Sequence, residues 1–117
     1  MVLIVEDDPA LNRLMTDLLV EQGIQVTSVV DGEQAYRVIK SQTVDLMLLD
    51  LHLPGVTGSE LLVLLAAEHR RLPVIVVSSP PMVDEANLQR FSNVRKQIRK
   101  PFENDDIVRS VQSVLNK

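Results

Sequence analysis

The sequence predicts an α/β fold: a doubly wound parallel sheet of five strands in the order 2-1-3-4-5, flanked by five helices. Three observations point there. Short, wholly or almost wholly apolar runs at residues 2–5, 44–49 and 74–77 read as strands covered on both faces. Amphipathic stretches with apolar residues at helical spacing separate them, and this alternation belongs to parallel strands joined by crossover helices. Two of the apolar runs stop on carboxylates, Glu6-Asp7-Asp8 and Asp50. Right-handed crossovers restrict the topology, while periodicity does not select one doubly wound order. The acidic clusters favour the order in which the first and third strands are neighbours, because it brings Asp7 and Asp50 to the switch point, where open α/β sheets bind ligands.

Each element has its own signals. Pro9 suits a first helical position with Asp7 or Asp8 as the cap, and Leu11, Leu14, Met15, Leu18 and Leu19 form one apolar stripe behind it. Gly23 is expected to close that helix in the left-handed conformation. Apolar and polar residues alternate over 24–28, predicting a second, more peripheral strand. Asp31 can cap a short helix burying Ala35, Val38 and Ile39. After the third strand, Pro54, Gly55 and Gly58 predict sharp turns. Thr57 and Glu60 form a capping box for a helix from Glu60 to about Glu68. The fourth strand ends on Ser78 and Ser79, and Pro80-Pro81 delays a fourth helix expected from Val83 or Asp84 to Phe91. Residues 97–99 make a weak fifth strand. Ile107, Val108, Val111, Val114 and Leu115 stripe a fifth and last helix.

Length and composition exclude several classes. The 117 residues fit one domain, 1–117, large enough to bury a core without a metal or disulfide staple. Cysteine is absent, which removes thiol chemistry and suits a reducing, cytoplasmic setting. A net charge of −4 and a pI near 5.1 argue against a general nucleic-acid surface. No apolar run approaches the ~20 residues of a membrane span, and no signal-like segment precedes the first strand. Neither a membrane nor direct nucleic-acid binding is expected of this domain.

The carboxylates carry the chemistry. Glu6, Asp7 and Asp50 held within about 4–6 Å of one another raise each other's pKa. A hard divalent cation resolves that conflict, and Mg²⁺ takes one or two carboxylates together with waters and phosphate oxygens. Asp50, at the centre, can also act as a nucleophile, because aspartate carboxylates form acyl phosphates. Phosphoryl transfer asks a protein mainly for in-line positioning and for neutralisation of the phosphoryl oxygens. Lys100 supplies a positive charge and Ser78 a hydroxyl.

The runs VLIVEDD, LLDLHLPGVTG around Asp50, PVIVVSS ending at Ser78 and Ser79, and RKPF with Lys100-Pro101 together resemble the receiver domain of two-component response regulators, a flavodoxin-like phosphoacceptor fold, over essentially the whole chain. The resemblance implies that Asp50 accepts phosphate from a histidine kinase or histidine phosphotransfer domain. It implies Mg²⁺ held by Asp7 and Asp50, by Glu6 through water, and by the backbone carbonyl of His52. Ser78 and Lys100 then contact the phosphoryl oxygens, and the Lys100–Pro101 peptide is often cis in the family. Such a domain is not an enzyme in its own right; it promotes only its own phosphoryl transfer and dephosphorylation. Its output is an altered face of fourth helix, fifth strand and fifth helix, offered to a downstream effector or to a second copy in a homodimer.

The chain also departs from the family pattern. Gln97 occupies the position of the usual Tyr or Phe whose ring swings inward on phosphorylation, and Asn93-Val94 replace a small Gly-Ala pair. Leu53 replaces a common methionine, and Ser78 a commoner threonine whose hydroxyl it keeps. The Gln97 departure motivates the alternative of a phosphorylation-independent, receiver-like protein-interaction domain. A small hydrolase or nucleotide-binding domain has little support: G-x-G-x-x-G, the P-loop and G-x-S-x-G are all missing, and Asp50-Leu51-His52 lacks the second aspartate of Asp-x-Asp phosphohydrolases. Asp8 reads better as a cap than as a ligand. His52 reads as an exposed side chain at the site mouth. The basic stretch Arg90, Arg95, Lys96, Arg99 and Lys100 reads as a solvated face where an acidic partner surface could dock.

Overall fold

Strands without a polar side must be covered on both faces, and the sheet is built accordingly. β1 (Val2–Val5), β3 (Leu46–Asp50) and β4 (Val74–Ser78) are buried along their whole length, whereas β2 (Val26–Val29) and β5 (Val94–Arg99) are partly exposed edges. All neighbours pair in parallel, in the order β2-β1-β3-β4-β5. The computed structural model describes residues 1–53, 55, 57–69, 71–79 and 91–115. Four helices lie among these: α1 (Pro9–Glu21), α2 (Gly32–Ser41), α3 (Gly58–Glu68) and α4 (Asn104–Leu115). The helix expected from Val83 or Asp84 falls outside the described residues; Phe91, its expected last residue, is described and lies outside any helix.

Alternation along the strands divides the core in two. Leu3, Val5, Met47, Leu49, Val74 and Val76 pack with Ala35, Ile39, Leu61, Leu62 and Leu65, from α2 and α3. Val2, Ile4, Leu46, Leu48, Ile75, Val77 and Ile98 pack with Met15, Leu19, Ile107, Val111 and Val114, from α1 and α4. Each fully buried side chain of this size contributes roughly 1.5–3 kcal/mol.

Local signals act where they were expected. Asp8 caps α1 by accepting from Ala10 N, and Gly23 follows the helix with φ +76°. Asp31 caps α2, and Thr57 and Glu60 make the reciprocal capping box of α3. The differences are tertiary in origin. β2 begins at Val26 rather than 24. β3 begins at Leu46 rather than 44; just before it the Asp45 amide donates to the Met1 carbonyl and the Asp45 carboxylate accepts from the amino terminus. β5 runs for six residues, since the β4 ladder supplies what its polar sequence lacks. In α1, Leu14 is 39% exposed, and Asn12 takes an inward position instead.

Candidate functional site

Parallel pairing of Val5 with Leu49 sets the ends of β1 and β3 level, so the residues that follow emerge at one edge. There one carboxylate oxygen each from Glu6, Asp7 and Asp50 lie within 4.8 Å of one another. Glu6 is 1% exposed and Asp50 4% exposed, while Asp7 faces solvent. The Glu6 carboxylate accepts from the Asp8 amide at 3.1 Å and from Lys100 Nζ at 3.0 Å. Asp50 Oδ1 accepts from the His52 amide at 3.0 Å, and Oδ2 lies 3.6 Å from Lys100 Nζ.

Lys100 reaches the carboxylates from the end of β5. Its amide donates to the Ser78 carbonyl at 2.9 Å, and the Lys100–Pro101 peptide is cis. The Ser78 side chain is fully buried, and its hydroxyl has no hydrogen-bond partner among the described residues. The His52 side chain is exposed, and Phe102 packs against the α1–α4 side of the core.

Burial dominates the electrostatics. It lifts the Glu6 pKa from 4.5 to about 7, reinforced by the Asp50 charge and opposed by the Asp8 amide and the Lys100 ammonium. For Lys100, burial is the largest single influence and favours the neutral form. The hydrogen bond and charge of Glu6, then the charge of Asp50, together outweigh it and hold the ammonium above its ordinary pKa. Among the described residues, the site therefore concentrates negative charge that the Lys100 ammonium balances only in part.

Two supporting residues escaped the sequence reading. The Asn12 side-chain amide donates to the backbone carbonyls of Glu6 and Val29, both at 3.0 Å, tying α1 to the start of the acidic loop. Its signal was spacing: Asn12, Met15 and Leu19 are the inward positions of α1. Gly58 begins α3 hard against the end of β3. A Cβ there would lie 2.5 Å from Leu51 Cα and 2.7 Å from the Asp50 carbonyl oxygen. The loop composition signalled a turn but not this contact.

The donor set is all oxygen and anionic, which suits a hard cation such as Mg²⁺. The unspent hydroxyl of Ser78 and the Lys100 ammonium suit an anionic tetrahedral group beside it. A profile of the family described as "Response regulator receiver domain" matches residues 2–112. The DNA-binding response regulator MtrA of Mycolicibacterium smegmatis is 29% identical over 116 residues, covering 99% of this chain and 50% of that protein. The chain thus spans about half the length of the curated relatives it matches. The receiver domain of Francisella response regulator 1452 superposes with a TM-score of 0.89 at 25% identity, covering 98% of this chain and 95% of that one. The receiver domain of NtrX from Brucella abortus shares the fold, with a TM-score of 0.90 at 24% identity over 100% of this chain and 99% of that one.

Proposed function

The chain belongs to the response regulator receiver domain family, and on that footing we propose that it accepts a phosphoryl group onto Asp50 from a histidine kinase or histidine phosphotransfer domain. The observation that carries this reading is the grouping of Asp50 with Glu6, Asp7 and Lys100 at one sheet edge. An Asp50 carboxylate oxygen forms a bond to phosphorus as the P–N bond of a phosphohistidine breaks. The released electron pair stays on the imidazole nitrogen, which picks up a proton. The His52 amide and Lys100 hold the carboxylate at the edge for that attack. Lys100 offsets the charge of the transferred group, and Ser78 offers it a donor.

Asp7, Asp50 and the His52 carbonyl, with Glu6 through water, would hold Mg²⁺, which would supply further neutralisation of the phosphoryl oxygens. Phosphorylation replaces the single negative charge of the Asp50 carboxylate with about −1.5 to −2 on the acyl phosphate, beside the buried Glu6 carboxyl. The drawing-in of Ser78 would then alter the edge formed by β5 and α4, the surface offered to an effector. Arg95 and Lys96 are exposed on that strand, so an acidic partner surface fits it.

The test is direct. A small acyl phosphate donor with Mg²⁺ is expected to give a mass increase that survives acid, is lost in base, and is missing from Asp50→Asn. A folded wild-type protein that stays unmodified under those conditions overturns the proposal.

A further inference from the structure

Two buried polar side-chain atoms near the site lack hydrogen-bond partners among the described residues: Ser78 Oγ and Gln97 Nε2. They come from adjacent parallel strands. Val76 pairs with Gln97 and Ser78 with Arg99, while Val77 pairs with Ile98. Val77 and Ile98 both point into the α1–α4 core, so by alternation Gln97, Val76 and Ser78 share the opposite face. Gln97 lies diagonally two positions short of Ser78 on that face, a separation a long side chain can span. Neither atom bonds the other, and each is buried with its capacity unspent.

From this juxtaposition we infer that Gln97 is a positioning residue for Ser78: its amide N–H donates to the Ser78 hydroxyl oxygen when that hydroxyl donates to the phosphoryl group. The inference rests on the phosphoacceptor reading and deepens it. A hydroxyl that donates to an anion becomes a better acceptor, so the two bonds strengthen each other. The resulting chain runs from the phosphoryl oxygen through Ser78 to Gln97, in mid-strand on the β5 edge. It replaces an aromatic ring movement with a hydrogen bond. An orphaned buried donor disfavours the unphosphorylated state, so satisfying it favours the phosphorylated one.

The experiment measures the affinity of beryllofluoride, a phosphoryl mimic, in excess Mg²⁺ for four proteins: wild type, Gln97→Met, Ser78→Ala and the double variant. Methionine keeps the length and unbranched shape of glutamine without its donor. Gln97→Met is expected to weaken binding about fivefold to tenfold, the range of one net hydrogen bond. In the Ser78→Ala background the same substitution is expected to change affinity less than about twofold, since the partner is gone. The free Gln97→Met protein is expected to resist urea at least as well as wild type, because it no longer buries an unpaired amide donor; this also confirms that it folds. Equal affinity of wild type and Gln97→Met overturns the inference, and so does an equal loss in both backgrounds. A wild type that fails to bind beryllofluoride overturns the phosphoacceptor reading itself.

Discussion

At Glu6 the carboxyl is almost completely enclosed, and burial raises its pKa to about 7. The unfolded chain releases that proton near the ordinary carboxylate value. Between about pH 5 and 7 the folded state therefore binds more protons, and the Glu6 contribution to stability falls as pH rises. In chelator, the stability of wild type minus that of Glu6→Gln is expected to fall by about 1 kcal/mol per pH unit across that window. Urea titrations at a series of pH values check this, and a difference that rises with pH contradicts it. Asn12 acts through the backbone instead. Asn12→Ala leaves the Glu6 and Val29 carbonyls without their amide donor, at an expected cost of about 1–3 kcal/mol in urea unfolding.

The elements determine how closely Asp50 is held. α3 starts with the Thr57–Glu60 capping box, and its first residue, Gly58, presses on the backbone of Asp50 and Leu51. Replacing a helical glycine by alanine ordinarily stabilises by up to about 1 kcal/mol. Here the new methyl would meet backbone atoms, which have no rotamer to escape into. Gly58→Ala is expected to reverse the sign, costing about 1–3 kcal/mol and slowing phosphorylation by displacing Asp50. Thermal or urea unfolding together with the labelling assay decides it; a stabilised, fully labelled variant would show that the loop yields freely. β5 makes the complementary point, because its six-residue ladder with β4 carries Lys100 to the carboxylates despite a largely polar sequence.

Across the whole molecule, a chain of net charge −4 gathers three carboxylates at one edge, with the Lys100 ammonium the one cation among the described residues that meets them. A cation that binds only the folded site stabilises the fold by mass action. Mg²⁺ at one hundred times its Kd is expected to add about 2.7 kcal/mol to the unfolding free energy. EDTA is expected to remove this gain, and Asp7→Ala to abolish it. A Mg²⁺ effect of equal size in Asp7→Ala would place the cation elsewhere. No helix among the described residues is long and apolar enough to cross a membrane.

The sheet, its strand order and the members of the acidic edge were readable from the chain because they rest on local periodicity and on carboxylates at the ends of apolar runs. Val2–Val5 cannot face water, Thr57 and Glu60 cap each other within one turn, and Asp50 ends a buried strand whatever surrounds it. The tertiary structure alone decided the matters that depend on approach between distant residues. Lys100 meets Glu6 across 94 positions, Asn12 reaches the carbonyls of Glu6 just past β1 and of Val29 in β2, and Gly58 closes on the Asp50 and Leu51 backbone. It also left Ser78 and Gln97 on one face with unmade hydrogen bonds, which no residue pattern reveals. The reason is physical: periodicity records which side of an element is apolar, whereas distance, register and hydrogen-bond satisfaction exist only once the elements have packed.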